Sequence, residues 1–436
     1  CTESKLYIIE FRLDLRIFPP DGILEAVAEL PLSKSESARR LVIDFIAGGA
    51  GALADASRLA ECHDIEVLRR ALEMSGHADS IDLGASGTAL RLLAALYAAT
   101  PGVRCRLTGS DSLRQRPLAP LVDALREMGA SITYCVREGF APIEIEGRRL
   151  RGGDITLDAS VSSQFVSALM LASPLMESPL RIATPGRRSS SPYLKMTAAM
   201  MTAAGVPAEV DPDGVSVSSG SYRVVDADVE RDWSAAAFWY EIAALTAGWV
   251  TLPGLREKSL QGDSLAASLF ERLGVITEFT AEGAGLSATP DLFSRLEADM
   301  SDTPDMVPAL AVTAALAGIP FELSGVANLR HKECDRLAAL RDELAKIGIP
   351  VTIEKYDDLL RWDGTRLPVR EIPVFDSHAD HRMAMALAPV AVFIPGAVIK
   401  DAGCVAKSYP GFWQQLQQAG FVLADPDEPM PDPQQQ

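Results

Sequence analysis

Residues Ile81–Gly102 read IDLGASGTALRLLAALYAATPG. A polar, acidic start with Gly and Ser gives way to a long Ala/Leu run that stops at Pro-Gly. Ser, Gly and Thr suit the start of a helix, and a Gly or Pro just past an apolar run is a stop signal. The same plan recurs in Ala28–Gly49, Gly153–Pro174, Val224–Gly248, Ala298–Gly318 and Phe375–Gly396. Most of these starts are separated by about 70 residues, a spacing that points to repeated structural units.

Each segment is followed by a second helical pattern that ends near Gly, as in LAPLVDALREMGA, MTAAMMTAAGV, LAASLFERLGV, LRDELAKIGI and FWQQLQQAGF. Short β-rich pieces such as SITYCVREG, RVVDADV and PVTIEK lie between. The unit is therefore strand–helix–strand–helix–strand–strand, repeated about six times, in an α/β protein. The first helix of each unit carries its polar residues at its N-terminus: Ser33–Ser35, Ser86–Thr88, Ser162–Gln164, Asp232, Thr303–Asp305 and Asp380–Arg382. Helix N-termini present unpaired N–H groups and partial positive charge. Units packed about pseudo-threefold axes in two lobes would bring these ends to one cleft, suited to phosphate-bearing ligands.

The 436 residues are enough for two or three domains, and a net charge of −18 argues against nucleic-acid binding. Six scattered cysteines lack CxxC spacing and read as reduced thiols. His378 and His381 flank Asp380 at a metal-ligand spacing, but no further ligand cluster accompanies them, and no metal is expected. No secretory signal is apparent, and the uncharged run Met383–Ile399 reads as a buried helix, a turn and a strand because Pro389 and Pro395 interrupt it. The Pro- and Asp-rich tail is expected to be disordered.

The most charged stretch is Asn328–Ala339, NLRHKECDRLAA. If a helix runs through it, Lys332 and Arg336 share a face at i, i+4, which is unfavourable for like charges. Glu333 would join Leu337, Leu340 and Leu344 on the inward stripe. That arrangement suits a pocket for an anion better than a solvated surface; Asp335 alone would face away. Other stretches add Lys34, Ser35 and Arg39, the Gly/Ser turn before Arg91, Arg114 and Arg116 ahead of Pro117, hydroxyls in VSSQF and SSSPYLK, Asp305 in TPDM, and Lys407 in CVAKSYP.

In order and spacing, LPLSKSESAR, LGASGTALR, RQRPLAPLVDALREMGA, SVSSQF, SSSPY, TPDM, NLRHKECDRL, ADHRMAMA and CVAKSYP resemble the 5-enolpyruvylshikimate-3-phosphate synthase family from about Ile17 to Leu423. The resemblance implies the two-lobed enolpyruvyl transferase fold, each lobe of three βαβαββ units about a pseudo-threefold axis. It implies transfer of the enolpyruvyl group of phosphoenolpyruvate to shikimate 3-phosphate, without a cofactor. Lys34, Ser35 and Arg39 would bind shikimate 3-phosphate, and Lys34 would also reach phosphoenolpyruvate. Ser162, Ser163, Gln164, Ser190 and Tyr193 would line the shikimate side. Gly87, Arg116, Arg336, Arg382 and Lys407 would hold phosphoenolpyruvate, while Asp305, Asn328 and Lys332 would meet the ring hydroxyls. The catalytic set implied is Asp305, Glu333, Lys34 and His381.

The chain departs from the family pattern at Leu32, where Gly is usual, at Ala85 in place of Asn, and at Cys334 in place of Thr. The expected division is residues 1–30 as an extension and first strands of the C-terminal lobe, 31–230 as the N-terminal lobe, 231–425 as the C-terminal lobe and 426–436 as a tail. A cytoplasmic monomer, with no membrane partner, is expected. Two other readings are a UDP-N-acetylglucosamine 1-carboxyvinyltransferase and a non-catalytic ligand-binding relative. Against the first, the loop GSDSLRQRPL lacks the cysteine that sister family uses. Against the second stand Asp305, Glu333, Arg336, Arg382 and Lys407.

Overall fold

The structure is a computed structural model that describes residues 14–158, 162–186 and 190–427. The first described elements are strands β1 (Leu15–Phe18) and β2 (Glu25–Val27), then helices α1 (Lys34–Gly48) and α2 (His63–Glu73). A first complete unit follows: β3 (Ser80–Asp82), α3 (Gly87–Ala99), β4 (Arg104–Thr108), the short α4 (Asp111–Arg114), α5 (Ala119–Glu127), β5 (Ser131–Tyr134) and β6 (Ile143–Glu146). The second comprises β7 (Gly153–Thr156), α6 (Ser163–Ala172), β8 (Leu180–Ala183), α7 (Ser191–Ala203), β9 (Ala208–Asp211) and β10 (Gly214–Val217). Next come α8 (Trp233–Thr246), β11 (Trp249–Pro253), α9 (Ala266–Glu271), β12 (Val275–Phe279) and β13 (Gly283–Ala288). Then β14 (Leu296–Asp299), α10 (Val307–Ala317), β15 (Phe321–Ser324), α11 (Arg336–Ala345), β16 (Thr352–Glu354) and β17 (Leu359–Trp362) complete another unit. The last is β18 (Val374–Asp376), α12 (His381–Leu387), β19 (Ala397–Lys400), α13 (Phe412–Gln418) and β20 (Val422–Ala424).

Among the described residues these strands form five four-stranded sheets, and all share one order. In β3-β4-β6-β5 the first two strands are parallel, as a helical crossover requires, and the fourth strand inserts between the second and third. β7-β8-β10-β9 and β14-β15-β17-β16 repeat the order. The two N-terminal strands complete the other sheets. β2 pairs in parallel with β11 as a first strand, and β1 lies between β19 and β20 where a fourth strand belongs. The segment RVVDADV, expected as a strand, has no ladder partner among the described residues. Arg223 N donates to the Ala204 carbonyl, Arg58 reaches Asp226 and Asp228, and Arg40 donates to the Ala227 carbonyl. Among the described residues the helices α1 and α2 therefore stand without a sheet of their own.

The first helices α3, α6 and α10 are largely apolar all round and so must be buried all round. Every residue of α3 except Thr88, and every residue of α10 except Ala317, is buried. The second helices α2 and α5 are one-sided and cover the outside. Helices α1, α3 and α6 pack against one another, as do α8, α10 and α12. The buried apolar residues accordingly form two clusters. One draws on residues 38–229, the other on 15–30 together with 233–421. The chain passes between them twice, side by side, through the antiparallel bridge Leu32–Arg231, with Ser33 N donating to Glu230 O at 2.7 Å and Asp232 N to Pro31 O at 2.9 Å. Among the described residues no helix is long and apolar enough to cross a membrane.

The helix expected through Lys332 starts later. Asp335 accepts from the Ala338 amide and caps α11, which begins at Arg336. Residues Ala327–His331 form a separate 3-10 turn, and Lys332 to Glu333 lie in the bend between. Lys332 and Arg336 are therefore not stacked on one helical face, and the i, i+4 repulsion never arises.

One buried group is at odds with its surroundings. Glu241, in the middle of α8, has no exposed surface, and neither carboxyl oxygen finds a partner among the described residues. Burial holds its pKa well above 4.5, so it keeps a proton in the folded protein that the unfolded chain releases. The unfolded state then binds fewer protons, and stability falls as pH rises above 4.5. Glu241→Met is expected to raise stability at pH 7 by about 1–3 kcal/mol, with the gain shrinking towards pH 4.5, in denaturant unfolding followed at several pH values.

Candidate active site

The inner helices of both clusters end at one cleft. Ser33 caps α1, Ser86 caps α3, Ser162 caps α6, Asp232 caps α8 and Asp380 caps α12, each side chain accepting from an amide of its own first turn. The 3-10 turn Pro304–Met306 leads into α10. Polar caps cannot be sunk into an apolar core, so this end of each unit faces an interface. Among the described residues, seven Lys or Arg and four acidic side chains line the cleft, together with His331 and His381. The two halves also touch directly: Ser190 N donates to Ser301 O at 2.7 Å, and Ser191 N to Asp302 Oδ1 at 3.0 Å.

At its centre lies Arg336, fully buried. Its Nε is 2.7 Å from Asp380 Oδ2, its Nη1 2.9 Å from Asp305 Oδ1 and its Nη2 2.9 Å from Glu333 Oε2. Asp305 also meets Lys332 at 3.2 Å and Arg382 at 3.0 Å. Glu333 also meets Arg116 at 3.0 Å and Lys407 at 3.1 Å. Each of these two carboxylates thus faces three cations. Burial alone would raise their pKa values, but the surrounding charges outweigh it and hold both well below the usual carboxylate range. Both are ionised bases at neutral pH as they stand.

The other titrating groups follow from the same balance. Burial, the largest influence, would lower the Lys34 pKa, yet Asp64 and Glu333 outweigh it and the net shift is upward. Lys34 Nζ lies 3.1 Å from Asp64 Oδ2. Lys332 shifts the other way, because burial prevails over Asp305. Burial pushes Arg39 down to about 10; its guanidinium is held by Thr197, Ser35 O, Ser167 and Tyr193 O. His381 is buried, and burial followed by Lys34 and Arg382 drives its pKa well below 6.5, so the ring is neutral. Neither ring nitrogen has a hydrogen-bond partner among the described residues; Asp380 Oδ1 stands 3.7 Å from Nδ1. His378 turns elsewhere, with Nε2 3.0 Å from Glu343. Among the described residues no group of three His, Cys, Asp or Glu side chains is placed to hold a metal.

This geometry can be set beside known proteins. The sequence model of the family described as EPSP synthase (3-phosphoshikimate 1-carboxyvinyltransferase) matches residues 25–416. The chain belongs to the EPSP synthase family. A 3-phosphoshikimate 1-carboxyvinyltransferase of Bacteroides fragilis strain YCH46 is 42% identical over 402 residues, covering 92% of this chain and 96% of its own. One from Methanoculleus marisnigri is 37% identical over 427 residues, covering 92% and 98%. In fold, the chain is similar to an EPSP synthase from Acinetobacter baumannii, with a TM-score of 0.74 at 24% identity, covering 94% of this chain and 100% of that one. The enolpyruvyl transferase NikO from Streptomyces tendae follows, with a TM-score of 0.69 at 16% identity, covering 95% and 99%. The fold is the two-lobed enolpyruvyl transferase fold.

Of the candidate residues that the EPSP synthase resemblance implied, Gly87 and Lys407 do not line the cleft, and the others do. Gly87 instead underlies it: a Cβ there would stand 2.2 Å from Arg116 Nη1, so only glycine lets that guanidinium lie against the backbone. Lys407 reaches in from the wall, to Glu333 and to the Ala85 carbonyl at 3.1 Å. The departures from the family pattern are absorbed locally. Ala85 serves through its carbonyl, and the Cys334 thiol donates to Asp380 Oδ2 at 3.6 Å. Sequence reasoning passed over Asp64 and Ser234, which also line the cleft. Asp64 lies in the first turn of an ordinary outer helix, and only the fold brings it to Lys34.

Removing Arg336 leaves three carboxylates without their shared cation. Arg336→Met is expected to cost roughly 3–5 kcal/mol of stability at pH 7. The folded pKa values of Asp305 and Glu333 would then rise, so the deficit should narrow as pH falls towards 5 and the carboxyls take up protons. Urea unfolding of both proteins at the two pH values measures this.

Proposed function

We propose that the chain transfers the enolpyruvyl group of phosphoenolpyruvate to the 5-hydroxyl of shikimate 3-phosphate and releases phosphate. The observation that carries this reading is the pairing in one cleft of two carboxylates, Asp305 and Glu333, each ringed by three cations. The reaction needs both components. The 5-oxygen attacks C2 of phosphoenolpyruvate while C3 gains a proton, giving a tetrahedral ketal phosphate. The C2–O bond to phosphate then breaks as C3 gives its proton back. One carboxyl group serves the hydroxyl proton and the other the C3 proton, with neutral His381 beside them.

Arg116, Arg336, Arg382 and Lys407 would hold phosphoenolpyruvate, with Gly87 leaving room for Arg116. Lys34, Ser35 and Arg39 would hold shikimate 3-phosphate, with Ser162, Ser163, Gln164, Ser190 and Tyr193 along the same wall. Asp305, Asn328 and Lys332 would face the ring hydroxyls. Cations suffice to neutralise the phosphates and carboxylates, so the chemistry calls for no cofactor. As a ligand anion draws Arg116 or Lys407 away from Glu333, the proton affinity of that carboxylate rises, and the base becomes able to act as an acid.

The two lobes in this reading are residues 31–230 and 231–425, with the first 30 residues joining the second. Its natural setting is the cytoplasm, and a monomer suffices because one chain supplies both walls of the cleft. Phosphate release with shikimate 3-phosphate and phosphoenolpyruvate tests it directly. No release by the wild-type protein overturns it, and release only with UDP-N-acetylglucosamine as acceptor assigns the sister activity. Glu333→Gln is expected to lower kcat by about 10²–10⁴-fold while shikimate 3-phosphate still binds in calorimetry; near-normal turnover removes Glu333 from proton transfer.

A further inference from the structure

Arg91 enters the cleft wall from the second turn of α3 and is 7% exposed. Its guanidinium carbon lies 5.4 Å from the centroid of the Phe165 ring, a cation–π contact. Its Nη1 donates to Gln164 Oε1 at 2.8 Å. Gln164 stands in the first turn of α6, its backbone N–H donating to Ser162 Oγ, and its side chain lines the cleft. A guanidinium has donors only, so the atom facing it must be the amide oxygen. Turning the amide over would set donors against donors. The Nε2 hydrogens of Gln164 are therefore directed away from Arg91.

We propose that Arg91 is a positioning residue that locks Gln164 as a hydrogen-bond donor, so that this wall selects ligand groups that accept, such as phosphate, carboxylate or ether oxygens, over groups that donate. The inference rests on the enolpyruvyl-transfer reading and deepens it. A free glutamine can offer either edge of its amide to a ligand. With Arg91 in place, a ligand N–H at that point would leave two donors unsatisfied, which costs affinity. Burial, then the neighbouring Arg116, lowers the Arg91 pKa to about 9, which still leaves the group charged at neutral pH. That charge polarises the Gln164 carbonyl and strengthens its N–H donors. The backbone makes room for it: a Cβ on Gly87 would stand 2.9 Å from Arg91 Nη1. Arg91 Nε has no partner among the described residues, so a direct grip on an anion is the competing role.

A double-mutant cycle separates the two roles. Steady-state kcat and KM for both substrates are measured on wild type, Arg91→Met, Gln164→Leu and the double variant. Each single change is expected to raise the KM of at least one substrate about tenfold. The double variant should stay within about threefold of Gln164→Leu alone, because Arg91 then has nothing to orient. Costs that multiply, to about a hundredfold, overturn positioning and give Arg91 its own ligand contact. Unchanged KM with only a lowered melting temperature overturns it as well. If Arg91→Met does not fold, the cycle runs on Arg91→Lys: a rise in KM that disappears in the Gln164→Leu background supports the role, and an undiminished rise overturns it. An active wild type with multiplicative costs leaves the enolpyruvyl-transfer reading standing; an inactive wild type overturns both.

Discussion

A guanidinium with no exposed surface cannot stand alone. Taking Arg336 out of water costs several kcal/mol unless its charge and its donors are matched. Three carboxylates match it, and they come from three places: Asp305 in the turn before α10, Glu333 in the bend before α11, and Asp380 at the cap of α12. The network thus ties together the cleft-facing ends of two neighbouring units of the second core. It does not close there. Asp305 and Glu333 each need more positive charge than Arg336 supplies, and Arg116, which serves Glu333, comes from the opposite half. One buried charge therefore organises both walls of the cleft.

The repeat explains why the charges gather there. Inner helices whose apolar residues are buried sit inside a core, and their polar caps can sit only where the core ends. Three such helices packed together bring three caps to one surface. Two clusters of this kind, joined by the paired crossing at Leu32 and Arg231, set the two capped ends against each other. A cleft between them is the consequence, and residues just inside the first turns, such as Lys34, Gln164 and Arg382, necessarily point at it.

The parts legible in the sequence were those that a local rule governs. Buried inner helices, their caps and their Gly stops announce themselves over about twenty residues, and so the unit and its polar N-termini could be read directly. Contacts between distant segments could not. Asp64 looks like any acidic residue in a first helical turn until α2 is laid beside α1. The hydrogen bond from Arg91 to Gln164 joins positions on two different units. The charged stretch around Lys332 misled for a related reason: Asp335 competes to cap a helix, and that competition decided where α11 begins. RVVDADV carries strand-forming residues, but a strand needs a partner, and Arg58 and Arg40 occupy its side chains and backbone instead.

The charge balance of the cleft gives its carboxylates a second use. A protein of net charge −18 should repel anions, yet the cleft lining is basic, and screening over about 8 Å at physiological ionic strength limits how far the outer charge is felt. Inside, Asp305 and Glu333 act as placeholders that keep Arg336, Arg382, Lys332, Arg116 and Lys407 poised and mutually tolerable. In the proposed function an incoming phosphate or carboxylate would compete for those same donors. Each donor it takes removes a stabilising charge from a buried carboxylate, whose proton affinity then rises because burial already favours the neutral form. On the proposed reading, binding and the preparation of an acid are one event: the cations that would recognise the ligand are those whose departure would let the carboxyl group hold a proton.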